Sequence, residues 1–269
     1  MEDPSAAQEH NRRAWNDRVR KRGRFARPAA DEDFIDPLKK LDALGWLGGD
    51  IRGSRTLCLA AGGGRQGPIY ASCGAIVTVV DISGEMLELD RQVAAQRKLH
   101  LTTVETSMDD LSMFADGSFD LVIHPVSTCY TPVVAPVFQE VARVTRVGGL
   151  YISQHKQPTS LQADIRPSPH GYELLEPYYR EGPLPPVQGS RHREEGTLEY
   201  LHRWDQIIGG ICRAGFFIED LTEPFHADTS AKEGAFAHRS RYVAPYVRIK
   251  AQRRAPPDTE LIKKILWTP

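Results

Sequence analysis

The sequence predicts an α/β domain built on a mostly parallel sheet with helices on both faces. Three observations carry that expectation. Short runs rich in β-branched and apolar residues, such as A-I-V-T-V-V-D at 75–81 and F-D-L-V-I-H at 119–124, read as strands buried on both sides. These runs alternate with helical segments through the middle of the chain, the order of repeated βα units. The first of them, T-L-C-L-A from Thr56, stops abruptly at Gly62-Gly63-Gly64, as a buried strand does when it leaves through a tight turn.

Taken in order, residues 1–50 form an N-terminal helical segment covering the cleft that the glycine turn creates. Residues 1–30 are polar and basic, with Arg12, Arg13, Arg18, Arg20, Lys21, Arg22, Arg24 and Arg27 around Trp15 and Phe25. Basic residues interleaved with aromatics suit a nucleic-acid arm. They suit equally a solvated helix packed through Trp15 and Val19, and the balanced net charge favours this second reading. Phe34, Leu38, Leu41 and Leu44 are spaced for one helix over 34–47. Strands follow at 56–60, 75–81, 101–105, 119–124 and 150–154. Helices are expected at 65–73, with Pro68 in the first turn, and at 84–98, capped by Ser83. Another is expected from Thr131 and Pro132 to Arg146, ended by Gly148-Gly149.

The regularity breaks at 156–201. This stretch is rich in proline and holds Tyr172, Tyr178 and Tyr179, and it reads as a lid or substrate-side insertion. A helix at 203–214, a strand at 217–221 and a strand near 242–251 complete the main domain, 51–251. The loop 226–241 lets those two strands pair antiparallel. Residues 252–269 are a tail ending in a small amphipathic helix with Leu261, Ile265 and Trp267.

Composition sets limits. Lys plus Arg total 34 against 35 for Asp plus Glu, so no global field draws in polyanions. Four scattered cysteines with no C-x-x-C pair indicate neither a zinc site nor a disulfide framework, and a reducing cytoplasm is expected. No stretch reads as a signal peptide or a membrane span, and no metal is expected.

The glycine turn is the chemical centre. Glycines admit a ligand close to the backbone, and the following helix offers free N–H groups. The run 62–67 also fits G-x-G-x-x-G, so the glycines do not decide which nucleotide-type cofactor binds. Asp81, at the end of the second strand, can accept both hydrogen bonds of a ribose diol and would repel a 2′-phosphate. That disfavours NADP and leaves NAD and an S-adenosyl cofactor open.

Beyond this point the chain resembles the class I S-adenosylmethionine-dependent methyltransferases, in particular the methyltransferase type 11-like enzymes of small molecules. The residues that carry the resemblance are L-C-L-A-A-G-G-G, V-T-V-V-D-I-S, M-D-D-L-S-M-F-A-D-G-S-F-D-L-V-I-H-P-V-S, A-R-V-T-R-V-G-G-L and R-A-G-F-F-I-E-D. The resemblance implies a Rossmann-like seven-stranded sheet with an antiparallel last strand, and S-adenosyl-L-methionine as cofactor. It implies that Ala60, Ala61, Gly62 and Gly64 face the methionine and ribose parts and that Asp81 holds the ribose hydroxyls. By the same resemblance Ile82 lies against the adenine, Ser107, Met108 and Asp109 lie at its edge, and His124 lies beside the sulfonium. Cys58, Ala60 and Ser107 depart from the pattern, standing where an acidic residue, the first glycine and an adenine-binding acid are common.

Methyl transfer needs alignment and exclusion of water, and a base only where the acceptor must lose a proton. His124 is the candidate base, and His155 lies just after the next strand. Trp15, Tyr130, His155, Tyr172, Tyr178 and Tyr179 are the candidate acceptor-side residues. The expected activity is methyl transfer to a small-molecule acceptor. The alternatives are an RNA or protein methyltransferase using the basic arm, and an NAD-type binding protein without methyl transfer.

Overall fold

The computed structural model describes residues 4–255, so the amphipathic helix expected in the tail lies outside the described residues. Seven strands form one sheet: β1 (Arg55–Leu59), β2 (Ile76–Asp81), β3 (Leu101–Glu105), β4 (Phe119–His124), β5 (Thr145–Lys156), β6 (Phe216–Thr222) and β7 (Tyr246–Arg253). Their order across the sheet is β3-β2-β1-β4-β5-β7-β6. β1 to β5 pair in parallel, whereas β7 runs antiparallel to both β5 and β6. The order reverses beside β1, so the crevice at the carboxyl ends of β1 and β4 is the ligand position of an open α/β sheet.

Alternation along the strands separates two cores. Leu57 and Leu59 of β1 and Val122 of β4 join Phe138, Tyr151, Ile211 and Ile249 on one face. Cys58, Val79, Leu121 and Ile123 point to the other, against Tyr70 and Leu87. The helices in chain order are α1 (Pro4–Arg20), α2 (Pro37–Leu41), α3 (Gln66–Ser72), α4 (Gly84–Arg97), α5 (Ala135–Val144), α6 (Pro158–Gln162), α7 (Trp204–Arg213) and α8 (Phe236–Arg239), of which α3, α4, α5 and α7 pack on the strands.

Three expectations are corrected. The helix expected over 34–47 is a 3-10 turn, Asp31–Phe34, followed by the five residues of α2. Pro37 brings no N–H, the Asp36 side chain caps at Lys39, and Gly45 sits at φ +68°, so the chain cannot coil through. The helix expected from Thr131 starts instead at Ala135. Thr131 closes a 3-10 turn, Thr128–Tyr130, and its hydroxyl donates to the Val133 carbonyl rather than capping. The fifth strand begins at Thr145, inside the segment read as helix. Its pairing with β4 jumps from Phe119–Thr145 to Leu121–Leu150, leaving Gly148 and Gly149 in a bulge.

The turn after β1 is held from α4 and from the end of β2. The Gly62 N–H donates to Asp81 Oδ2 at 2.9 Å and the Gly63 N–H to Asp90 Oδ2 at 2.8 Å. Gly64, at φ +72°, lies against α4: a Cβ there would come within 2.9 Å of the Leu89 carbonyl oxygen. Asp90 is fully buried, and its Oδ1 has no partner among the described residues. Burial raises its carboxyl from 3.8 to about 7, against the opposing pull of the loop N–H groups.

Helix α1 crosses the crevice on side-chain hydrogen bonds. Gln8 donates to the Asp109 carboxylate, Asn11 donates to the Tyr130 and Leu198 carbonyls and accepts from the Leu198 N–H, and Asn16 accepts from the Ser83 hydroxyl. Asn11 is buried, so all three of its bonds are shielded from water.

Asn11→Ala leaves two carbonyls and one N–H without partners and should cost about 1–3 kcal/mol of α1 docking. Faster amide exchange confined to α1 would show it; unchanged exchange would contradict the assignment. The Asp90 carboxyl sets a pH dependence of known sign. An acid raised in the folded state stabilises the fold below its unfolded value and loses that contribution as pH rises through the folded value. Asp90→Asn should therefore gain thermal stability over the parent as pH climbs from about 4 through about 7. Melting curves across that window are the check, and a constant offset between the two proteins would refute the origin given.

Candidate active site

At the crevice lies a cavity of about 650 Å³, within the usual size of small-ligand sites. One end is built from sheet elements. Ala60, Ala61 and Gly62 follow β1, Asp81 and Ile82 end β2, Met86 belongs to α4, and Ser107 and Met108 follow β3. Ala60 occupies the left-handed region at φ +48°, a conformation in which a Cβ is strained. The departure from glycine at this position thus keeps the glycine geometry.

Asp81 is the polar anchor of this end. Its Oδ1 accepts from the Ser83 N–H and its Oδ2 from the Gly62 N–H, both at 2.9 Å. Each carboxylate oxygen retains a lone pair, so the group can still receive a diol. Burial raises its carboxyl to about 6, partly countered by these N–H groups. The donor set therefore fits a ribose, with Ile82, Met86 and Met108 supplying apolar surface for a flat base.

The other end is assembled from distant segments. Trp15 of α1 meets Tyr130 edge-on, with ring centroids 5.5 Å apart. Pro125, Val126 and Ser127 leave β4, and Gln154 of β5 contributes between them and β7. His226, Phe236 and Tyr246, from the β6–β7 connection and the start of β7, form an aromatic wall. Arg24, Phe25 and Arg27 cover the rim.

Below that wall lies a buried ion cluster. Lys156, at the end of β5, donates to Glu194 and to Glu199, Tyr130 donates its hydroxyl to Glu194 at 2.8 Å, and Arg193 pairs with Glu199. Lys156, Glu194 and Glu199 are all buried. Burial opposes a charge on Glu194, but the Lys156 ammonium outweighs it and holds the carboxyl low. Glu194 alone among these ions reaches the cavity.

Of the residues singled out from sequence, Ala60, Ala61, Gly62, Asp81, Ile82, Ser107, Met108, Trp15 and Tyr130 lie on the cavity wall. The others do not, and their placements are revised. Gly64 faces α4, as described above, and Asp109 is engaged by Gln8. His124 is buried with both ring nitrogens occupied, Nδ1 by the Tyr151 hydroxyl at 2.8 Å and Nε2 by the Ser127 hydroxyl at 2.6 Å. Burial lowers its pKa to about 3, so it is a neutral structural group. His155 is likewise enclosed, between Thr128 and Ser153.

The insertion tyrosines pack elsewhere. Tyr172 meets His238 and Tyr242, and Tyr178 meets Tyr179, over which Arg203 lies. The insertion is clamped by the buried Arg239 of α8, which donates to the Ser160 hydroxyl and to the Ser160, Ala163 and Asp164 carbonyls. Of the insertion, Glu194 reaches the cavity, and its tyrosines pack outside it. The cavity residues that sequence reasoning passed over, His226, Phe236 and Tyr246, come from the β6–β7 connection and the start of β7. The position of that connection after β6 was the available signal.

Comparison with known proteins agrees with this geometry. A family model described as a methyltransferase domain matches residues 57–153. The chain is 34% identical over 229 residues to an uncharacterized methyltransferase, YbaJ, of Bacillus subtilis (strain 168), covering 80% of this chain and 89% of that one. Its fold matches an S-adenosylmethionine-dependent methyltransferase from Mesorhizobium loti, with a TM-score of 0.62 and 22% identity, over 76% of this chain and 93% of that one. It also matches geranyl diphosphate C-methyltransferase from Streptomyces coelicolor A3(2), solved with S-adenosyl-L-homocysteine, with a TM-score of 0.58, 16% identity and coverage of 92% and 98%. A seven-stranded sheet with its antiparallel last strand, a glycine turn tied to a strand-end aspartate and this sequence kinship make the chain a member of the class I S-adenosylmethionine-dependent methyltransferases.

Proposed function

We propose that the enzyme transfers the methyl group to a small-molecule acceptor held at the far end of the cofactor cavity. The observation that carries this reading is the continuity of that cavity, from Asp81 and the glycine turn to Glu194, His226 and Tyr246, under α1. Such an enclosed, aromatic-walled space suits a small organic molecule. When bound, S-adenosylmethionine supplies an electrophilic methyl on a sulfonium. The chain's own part is to bind, align and exclude water.

In this reading the Asp81 carboxylate receives the ribose hydroxyls. Ile82, Met86 and Met108 sandwich the adenine, and the Ser107 hydroxyl lies at its edge. Arg27, which has no hydrogen bond or ion pair among the described residues, suits the methionine carboxylate. The basic N-terminal segment speaks for the same reading. Arg12 and Arg13 pair with Glu9, Arg20 with Asp17 and Glu85, and Arg18 donates to the Glu195 carbonyl, so much of its charge is spent within the fold. The Streptomyces neighbour, named for geranyl diphosphate, offers a precedent for a small acceptor on this fold. Among the described residues no helix is long and apolar enough to cross a membrane, and the four cysteines are unpaired. A reducing cytoplasm suits them.

Asp81→Ala should weaken S-adenosylhomocysteine binding by roughly 1.5–3 kcal/mol, the scale of hydrogen bonds to a charged group. Isothermal titration measures it, and unchanged affinity would move the ribose elsewhere. Incubating the enzyme with methyl-labelled S-adenosylmethionine and cell extract should place the label in the low-molecular-mass fraction. Label confined to protein or RNA would refute the small-molecule assignment.

A further inference from the structure

His226 is set apart from the other histidines near the site. His124 and His155 are buried with both ring nitrogens hydrogen-bonded, and His202 donates its Nε2–H to the Thr128 and Thr131 carbonyls. His226 is exposed on the cavity wall, and its ring nitrogens have no hydrogen-bond partner among the described residues. Its orientation is nevertheless defined by packing. The ring stands edge-on to Phe236, 5.5 Å between centroids at 73°, and edge-on to Tyr246, 5.7 Å at 77°. An imidazole fixed by its neighbours but lacking a polar partner, in a ligand cavity, is a proton acceptor in search of a donor.

The surroundings narrow the chemistry of that donor. The wall on either side of His226 is aromatic, and Trp15 and Tyr130 line the same cavity, which suits a planar aryl ring. The charged and titratable groups around this end are Arg248 and Tyr246 on β7, Arg24 on the segment after α1, Lys156 on β5, and Glu194 and His192 on the insertion, the His192 ring stacked on Phe236. Lys156 is offset by Glu194, whereas Arg248 is held by the neutral Gln154 side chain at 2.8 Å. The balance at this end is therefore cationic, which favours an acceptor that becomes an anion as it reacts. Partial enclosure beside Phe236 and Tyr246, and then the charge of Arg248, lower the His226 pKa, which favours the neutral ring that a base must start from.

We propose that His226 is the catalytic base of the methyl transfer and that the acceptor is an aryl hydroxyl compound. The inference rests on the small-molecule reading given above. In the step, the acceptor oxygen forms its bond to the methyl carbon as the carbon–sulfur bond breaks and its electron pair passes to sulfur. The O–H proton moves to the free ring nitrogen of His226, and the imidazolium returns it to solvent after product leaves. Neither histidine that follows a sheet strand can do this, because neither has a free nitrogen.

The test uses the full-length enzyme, methyl-labelled S-adenosylmethionine and a series of simple phenols from phenol itself to 4-nitrophenol, compared at about pH 8.5, where phenol keeps its proton and 4-nitrophenol is almost wholly ionised. His226→Gln and His226→Ala should bind S-adenosylhomocysteine within about two-fold of the parent, since the ring lies at the acceptor end. With phenol they should lose roughly 100-fold in kcat, the usual scale of a positioned base, together with the acid limb of the pH profile. With 4-nitrophenol the loss should shrink to a few-fold, because no proton remains to be taken. Independently of turnover, adding phenol to the S-adenosylhomocysteine complex should shift the histidine ring signal that is missing from His226→Gln in proton NMR. An equal loss across the phenol series, or parent-like rates in His226→Gln, would overturn the role of the base. Absence of transfer to every phenol, with label still entering small molecules of an extract, would overturn the aryl hydroxyl class while leaving the small-molecule reading standing. Label found only in protein or RNA would bring down that underlying reading as well.

Discussion

Two buried carboxylates determine the shape of the cofactor end. Asp81 and Asp90 stand on successive elements, and between them they receive the N–H groups of Gly62, Gly63 and Ser83. Without those acceptors the backbone after β1 would carry unsatisfied donors in a region sealed by α4, a loss on the order of 1–3 kcal/mol for each. The carboxylates therefore do more than wait for a ligand. They choose the path of the turn, and the turn in turn sets where a nucleoside can lie. Gly64 belongs to the same constraint: its missing side chain lets α4 approach, and the ligand is served only indirectly.

What the sequence made legible divides along this line. The central strands were readable because burial on two faces demands long apolar runs, and the residues that follow β1, β2 and β3 inherit their position from those strands. Asp81 could thus be read from its place at the end of β2, whereas Ala60, Ile82, Ser107 and Met108 came from the family resemblance, and all five line the cavity. Helix starts were less legible, because Pro37 and Thr131 can each begin a helix or close a turn, and neighbouring backbone geometry decides. The acceptor end was the least readable. Local sequence does not show whether a histidine at the sheet's ligand end has its nitrogens filled, as in His124, or free, as in His226. That difference comes from Ser127 and Tyr151, whose positions depend on the closed fold. The tyrosines of the insertion had the right chemistry for a lid and the wrong partners, being taken up by His238, Tyr242 and one another.

The ion cluster beneath the aromatic wall explains how such scattered segments stay in register. Lys156 comes from the sheet, Glu194 and Glu199 from the insertion, and Tyr130 from the turn after β4. Burying these charges is unfavourable unless every partner is present, so the arrangement tolerates few alternatives. It fixes the insertion against β5 at one position, while Arg239 fixes it against α8 at another. The β6–β7 connection and the insertion are thereby one mechanical unit. The orientation of His226, Phe236 and Tyr246 follows from that unit and not from their own loop.

Helix α1 has a consequence for turnover. Its docked state rests on amide side chains, Gln8, Asn11 and Asn16, on the edge contact of Trp15 with Tyr130, and at the exposed side on His10, Arg18 and Arg20, which reach the Gly196 and Glu195 carbonyls and Glu85. Amide hydrogen bonds re-form readily and discriminate sharply by geometry, whereas a large apolar seam would hold the helix in many slightly different seats. A roof attached in this way reads the contents of the cavity through alignment. Each ligand that keeps Trp15 and Tyr130 in place shares in the free energy of seating the helix. Each that displaces them loses that share. The two ends of the cavity therefore share one cover, and whatever displaces Trp15 from Tyr130 disturbs the helix that also lies over the cofactor end.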